Sequence, residues 1–596
     1  MIAPVSFTVR RIMADSLLLI IESPGKIKKL TEYCKALGYD AIVKASFGHI
    51  RELANQGQDD CGFDIKGHHI ESYWEISKSK AKNVSELKKL AKGRKVILAT
   101  DGDREGESIA WHLAAVLKLK SPDRIVYQEI TKDALKAALA RPRKLDMHLV
   151  GAALGRAHLD KLVGYAGSKR VVWPLNIGAK SMGRVQSAAL WLLVQRELQI
   201  RHFKPQTYFS LSVDYKEGFK AFYCAAPKSA ATGEGEAVTG DSGEVQAAPE
   251  SDRVLTQAEA DQLVAIARQS PHQVLRMDQQ QTAQKPPAPF TTSTLQQAAG
   301  SRFKLSPDQT MALAQTLYEQ GLITYMRTDS VALATVFTAT VQQYLTQHDP
   351  ERLPSKAATF SNKAGAQEAH EAIRPTDVFK TPANVGLDGD PLKLYTLIWQ
   401  RTVATQCAPA LINKVRVLIQ AGTTHWQARG QTLASAGYSH YWPNIGGDAR
   451  LPNLQPQQGL TANKVSAESK QTQPPGRYTE PTLVQAMEQK GVGRPSTYAS
   501  TIATLKDREY ITLAKGKGSQ GKLEVTAMGL ELMKVLDALL PGIVRPTFTA
   551  EMEAALDDVA RGKLQWEAYM TGFQSQVFEP AMQKAEAAIR QMRPGK

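Results

Sequence analysis

The sequence predicts a multidomain protein of mixed α/β and α+β class, and three observations carry that reading. A chain of 596 residues is too long to bury one core. From Leu17 to about Ala140 short apolar strands alternate with helical segments, the pattern of a parallel α/β unit. Beyond it the periodicity switches repeatedly: helical to Arg201, strand-rich from about Phe203 to Gln281, helical to Cys407, strand-like again from Lys414, and largely helical after Thr479.

Leu17-Leu18-Leu19-Ile20-Ile21 predicts a buried strand, followed by the turn Glu22-Ser23-Pro24-Gly25-Lys26 and a basic helix. Tyr39 to Ser46, Val96 to Thr100 and Arg124 to Tyr127 predict further strands, and Ser108 to Leu113 has helical spacing. Asp101-Gly102-Asp103-Arg104-Glu105-Gly106-Glu107 therefore lies at a strand-to-helix turn. Asp101, Asp103 and Glu105 alternate along the strand exit, so their carboxylates can converge on one hard cation, Mg2+ being the natural choice, while Gly102 and Gly106 permit tight backbone. Acids also favour helix N-termini at about 0.3 to 1 kcal/mol each, which explains one or two of them but not this many. Glu22 and Lys26 offer a proton-transfer carboxylate and a phosphate-facing ammonium in one turn, although alone a solvated turn explains them as well. Taken together the two turns look like neighbouring strand ends of one parallel sheet, where open α/β folds place ligands, and the pattern resembles a Toprim domain.

Leu154, His158, Leu159, Leu162 and Val163 share one helical side, and Val185 to Ile200 forms another helix. Tyr208 to Val213 turns to strand. Ala225 to Asp252, rich in Ala, Gly, Ser and Glu, reads as a mobile insertion without function. Pro286-Pro287-Ala288-Pro289 opens the second helical block, and Lys414 to Ile419 resumes the strands. Near the end, Tyr510 to Leu513 and Leu523 to Thr526 make a basic hairpin between helices, a winged-helix arrangement. Gly516 to Lys522 mimics a GxxxxGK loop, but Leu523 replaces the metal-holding hydroxyl and a strand follows instead of a helix, which argues against nucleotide binding.

The net charge of +16 suits a polyanionic partner, as it also does ribosomal and membrane-surface proteins. Cys34, Cys61, Cys224 and Cys407 contain no CxxC pair, which argues against a zinc ribbon or a disulfide framework and for a reducing cytoplasm. The apolar run Leu17 to Ile21 is far below membrane-spanning or signal-peptide length. Met13, just before the first strand, is the expected start of translation.

Tyr325 and Arg327, in Ile323-Thr324-Tyr325-Met326-Arg327-Thr328-Asp329-Ser330, share a face if the segment is extended. A tyrosine can be a covalent nucleophile and an arginine can stabilise charge developing on phosphate oxygens, though alone such a tyrosine is more often packing. His370 and Arg374, in His370-Glu371-Ala372-Ile373-Arg374-Pro375-Thr376, are four apart and would share a helix face, with Pro375 ending it. In order, these two segments, the Glu22 to Lys26 turn and the acidic loop resemble the signature set of type IA DNA topoisomerases. Gly493-Arg494-Pro495-Ser496-Thr497-Tyr498-Ala499 resembles bacterial topoisomerase I more than topoisomerase III.

The resemblance implies that Tyr325 attacks a single-strand phosphodiester, keeps the 5′ phosphate and frees a 3′ hydroxyl that later reverses the step without ATP. Glu22 would handle the proton of the 3′ oxygen, Lys26, Arg327 and His370 would act on the phosphate, and Glu22, Asp101, Asp103 and Glu105 would hold Mg2+. His49, Arg156, Asp160, Tyr165, Ser181, Gly183, Arg184, Gln186, Thr497 and Arg508 match DNA contacts of a single-strand groove. Arg156 and Asp160 read equally as an intrahelical ion pair worth about 0.3 to 0.5 kcal/mol. Ala157 stands where a second arginine is common, which would relax the base preference upstream of the cut. The implied domains are Toprim (1–144), winged-helix-like (145–205 and 479–596), strand-rich arch (206–285 and 408–478) and helical with the tyrosine (286–407), closing into a toroid. The expected protein is a cytoplasmic, nucleoid-associated monomer that relaxes negatively supercoiled DNA, slowly or distributively because no zinc ribbons follow.

Overall fold

The computed structural model describes residues 16–226, 240–242, 251–362, 371–514 and 521–592. The expected start at Met13, most of the insertion, His370 and the loop from Lys515 to Gln520 lie outside the described residues.

Leu17–Ile21 is the centre of a parallel sheet, pairing in register with Ala41–Ala45 on one side and Lys95–Ala99 on the other, with Asp123–Arg124 at the far edge. All five residues of this strand are buried, and strand alternation sorts them onto two faces. Leu18 and Ile20 pack with Val84, Leu87, Ile109 and Leu113 from the helices Ala81–Ala91 and Arg104–Leu117. Leu17, Leu19 and Ile21 face the other way, into a core that continues through Leu317, Ile323 and Tyr325 to Phe290 and Trp442. The expected strand from Arg124 to Tyr127 is cut to two residues. The buried Arg124 guanidinium takes the carbonyls of Thr100 at 2.7 Å, Ile125 at 2.5 Å and Asp101 at 2.6 Å, and draws the chain away from the ladder.

The arch is one seven-stranded sheet, in which His272–Gln284 and Ala410–Ala421 pair near one edge and Thr207–Tyr215 and Ala462–Gln471 at the other. Strand directions put its two feet at opposite ends. Gln284 and Ala410 meet at the end that leads to helices Thr292–Phe303 and Gly389–Thr405, whereas Thr207 and Gln471 meet at the end joined to helices Arg184–Arg201 and Glu480–Gln489. Those two feet touch each other, Ser293 donating to Glu488 at 2.7 Å, and both touch the parallel-sheet unit. A bridge whose supports are themselves in contact is a closed ring, as the toroid expectation requires.

The second helical core gathers Leu159, Val163, Leu193, Leu483, Ile502, Leu536, Leu556 and Phe578, from both halves of the chain, around the hairpin Ile511–Ala514 and Lys522–Val525. Part of the insertion is pinned rather than loose: Asp241 takes both Arg401 nitrogens at 2.7 and 3.0 Å. The cysteines are buried and none forms a disulfide among the described residues, and among those residues no helix is long and apolar enough to cross a membrane.

Candidate active site

Because Ile21 and Ala99 are register partners, the parallel sheet delivers Glu22 and Asp101 side by side at its carboxyl edge. The acidic loop then folds tightly onto the next helix: a Cβ on Gly106 would stand 2.2 Å from the Asp101 carbonyl oxygen. Asp103 is that helix's N-cap, its Oδ1 accepting from the Gly106 N–H at 2.8 Å, and Glu105 lies in the first turn. This corrects the expectation that the three acids alternate along an extended exit. The helix start, not a strand exit, sets where Glu105 lies, and Asp101, Asp103 and Glu105 are all near enough to act on the charge of Glu22. Glu107 faces away, buried against Arg124 and Arg143.

Tyr325 comes to this edge from the helical domain. It is 3% exposed, donates its hydroxyl to Asp103 Oδ2 at 2.7 Å, and is held by its own N–H on the Gln128 carbonyl at 2.8 Å. Arg327 reaches Glu105 at 2.9 Å, so the two side chains do share a face as an extended segment requires. Lys26, fully buried, pairs with Asp101 and sits 4.8 Å from the Tyr318 ring centroid, and that ring meets Tyr325 edge-on at 5.3 Å. His49 stands 3.5 Å from Glu105.

Burial, with Asp101 and Asp103 adding repulsion, pushes the Glu22 carboxyl up to about 8. The opposite holds for Glu105, kept down at about 2 by the His49 hydrogen bond and by Arg327. Burial first, then Asp103 and Asp101, pushes the Tyr325 phenol well above its ordinary range against the pull of Arg327. The resting phenol is thus a hydrogen-bond donor, and ionising it would require the negative charge near it to be offset.

The donor set is all oxygen, suited to a hard divalent cation, and Glu22 Oε2 is buried without a hydrogen-bond partner. Lys26, Tyr325 and Arg327 engage the other three carboxylates, and among the described residues no three acids are grouped at metal-holding distance. The oxygens fit such an ion; their present spacing is set by protein cations and the phenol.

Arg374 departs from the sequence reading. Ala372 to Pro375 is extended and bridges Phe290 and Ile323, so Arg374 does not lie on a helix; His370 is outside the described residues. The Arg374 guanidinium binds Glu129 at 3.0 Å and Glu371 at 2.6 Å, joining the helical domain to the sheet unit rather than facing a phosphate site.

A groove of about 800 Å³ adjoins the cluster on the Glu105 side and gathers His49, Arg156, Ala157, Asp160, Tyr165, Ser181, Gly183, Arg184, Gln186, Thr497 and Arg508 from segments far apart in the chain. Arg327 lies outside it, sharing a smaller neighbouring cleft with Arg156. Arg156 and Asp160 do not pair with each other. Arg156 binds the fully buried Glu553 at 2.8 Å, and Asp160 accepts from Arg184 Nε at 2.9 Å. Glu553 also holds Arg184, with Arg494 at 3.7 Å, and these cations keep its carboxyl far below the usual range despite burial. Tyr165 rides on a π-helical turn, Leu162–Ala166, between Lys161 at 4.7 Å and the half-exposed Trp173.

Sequence reasoning missed Glu553, Trp173, Arg51 and Asp557, which pairs with Arg104 and with Arg494 at 2.8 Å. Arg51 follows His49 in the Gly48-His49-Ile50-Arg51 motif, which was its one available signal. It is stacked between Trp111 and Trp74 at 5.1 and 5.8 Å and donates to His112 at 2.9 Å. Its Nη2, like Arg184 Nη2 and Arg508 Nη1, is buried without a hydrogen-bond partner. Unmet guanidinium donors on one groove are what an anionic ligand would satisfy.

Residues 17–131 match the family described as Toprim domain, and residues 144–571 the family described as DNA topoisomerase. The protein named DNA topoisomerase 1 of Synechocystis sp. is 37% identical over 588 residues, covering 94% of this chain and 64% of its own. Its namesake in Vibrio cholerae is 36% identical over 602 residues, covering 93% and 65%. The chain therefore spans slightly under two thirds of these relatives' length. A solved structure of full-length topoisomerase I from Thermotoga maritima aligns with a TM-score of 0.79 at 33% identity, over 94% of this chain and 90% of that one.

Proposed function

Because the chain belongs to the DNA topoisomerase family, we propose that it is a type IA enzyme that cuts one strand of underwound DNA through Tyr325, passes another through the gap and reseals it. The observation that carries this reading is the phenol of Tyr325 bonded at 2.7 Å to Asp103 beside a groove rich in unmet arginine donors. Tyr325 oxygen forms a bond to phosphorus as the bond to the 3′ oxygen breaks. Asp103 is the group placed to take the phenolic proton. Glu22, protonated at neutral pH, supplies a proton to the leaving 3′ oxygen and recovers it on resealing. Arg327 and Lys26 offset charge on the phosphate. Mg2+, held by Asp101, Asp103 and Glu105, and by Glu22 when it is ionised, would add positive charge at the broken end.

The groove residues grip the strand upstream of the cut, Tyr165 by stacking and His49, Arg156, Arg184, Gln186, Thr497 and Arg508 by polar contact, with Asp160, Ser181 and Gly183 shaping the wall. Ala157 leaves room where a longer side chain would read a base. The phosphotyrosine conserves the bond energy, so no ATP is consumed, and the chain works as a monomer on single-stranded segments of duplex DNA.

Incubation with negatively supercoiled plasmid and Mg2+, without ATP, should give a ladder of topoisomers. Tyr325→Phe should abolish both the ladder and the covalent adduct while retaining single-strand binding. A Phe variant that still forms the adduct, or a wild type that never does, would overturn the proposal. Linked circles as substrate separate relaxation from decatenation.

A further inference from the structure

A second cavity, of about 480 Å³, adjoins the carboxylate cluster from the side of Glu22 and Asp101, whereas the groove adjoins it from the side of Glu105 and His49. Phe47, Met311 and Met326 supply its apolar lining. Its rim holds acids with Arg327 as the cation among its lining residues, so it disfavours a phosphate and suits a neutral, flat group.

Phe47 is the unusual residue. The residue is 49% exposed, yet its backbone is in the left-handed region at φ +61°, which a phenylalanine rarely adopts. Two bonds impose that conformation: the Phe47 N–H donates to the Glu22 carbonyl at 2.9 Å, and Lys80 Nζ donates to the Phe47 carbonyl at 2.8 Å. The Lys80 ammonium also stands 5.8 Å from the ring centroid. The backbone that carries this exposed aromatic is thereby fixed at the wall of a cavity beside Glu22 and Asp101.

A strand lying in the groove reaches its scissile phosphate at Tyr325 and must continue past it, and this cavity is the space on that further side. We propose that it seats the base of the nucleotide whose 5′ phosphate becomes joined to Tyr325, stacked on the Phe47 ring. The inference rests on the cleavage reading above and adds a positioning residue to it.

The test uses the full chain, Mg2+ and a single-stranded oligonucleotide with one mapped cut site, made intact or with an abasic residue immediately 3′ of the cut. Wild type should form about tenfold less adduct on the abasic strand. Phe47→Ala and Phe47→Gly should show about the same loss on the intact strand and no further loss on the abasic one, while Phe47→Trp restores the intact-strand yield. Glycine adopts the left-handed backbone freely, so the Gly variant separates stacking from folding. Independent, multiplying losses from abasic site and substitution, or a Phe47→Gly protein equal to wild type on the intact strand, would overturn the stacking assignment alone. Absence of adduct from wild type on the intact strand would instead overturn the cleavage reading.

Discussion

Replacing Glu22 by Gln should raise folding stability at alkaline pH, in proportion to the burial that keeps this carboxyl protonated. The folded carboxyl binds its proton up to about pH 8, whereas in the unfolded chain it releases it near 4.5. Below pH 4.5 both states are protonated and wild type has its full stability. As pH rises from 4.5 to about 8, the unfolded chain gains an ionisation that the folded protein resists, and wild type loses stability relative to the variant. The gap corresponds to about 5 kcal/mol, reached once the folded group ionises. Part of it is shared with Asp101 and Asp103, so a difference of about 3 to 5 kcal/mol is expected. Melting both proteins in EDTA at pH 5 and pH 9 measures it, because chelation removes any cation that would hold the ionised form. Near-equal stability at pH 5 and a more stable Glu22→Gln protein at pH 9 is the expected outcome. Parallel pH profiles would refute the argument, and with it the assignment of Glu22 as the group that protonates the 3′ oxygen.

Glu553→Gln should cost about 3 to 5 kcal/mol by leaving Arg156, Arg184 and Arg494 without their buried counter-charge, read from denaturant unfolding, and a change under 1 kcal/mol would contradict it. His158, buried and held down to about 4, should make the protein lose about 3 kcal/mol as pH falls from 6.5 to 4, because the unfolded imidazole protonates first; His158→Gln should melt with a shallower acid limb. Arg51→Gln should lower single-strand affinity and reduce the slope of log affinity against log salt by about 0.7, measured by fluorescence anisotropy, whereas an unchanged slope would mean that Arg51 meets no phosphate. Gly106→Ala should uncouple Asp103 from Asp101 by driving a methyl into the Asp101 carbonyl, seen as loss of adduct without loss of groove binding.

The parts of the site readable in the sequence are those whose chemistry is local. Leu17 to Lys26 and Val96 to Glu107 each contain strand, turn and helix start in about ten residues, so the spacing of Glu22 and Asp101 from their strands fixes where they end up. Tyr325 and Arg327 were legible as a pair for the same reason. Glu553 was not, because it lies in an ordinary amphipathic helix, Pro546–Ala560, and matters only through arginines of other segments, two of them 369 and 397 residues away. The helix expected at Arg374 failed because its partners, Phe290 and Ile323, are supplied by distant extended chain, and the strand at Arg124 was shortened by a side chain competing for the ladder's carbonyls. Spacing shows which residues share a face, but not which other segment arrives to meet it.

Two chain crossings, rather than one, anchor each foot of the arch. A single tether would let a detached helical domain swivel, but a pair of hydrogen-bonded strands resists torsion and yields mainly by flexing. A domain carried off on such a leaf spring returns along the path by which it left. Under the cleavage proposed above, the severed DNA ends, one fixed to the moving part and one gripped by the stationary part, would be brought back into the same alignment, and accurate rejoining would be a mechanical property of the sheet as much as a chemical property of the phenol.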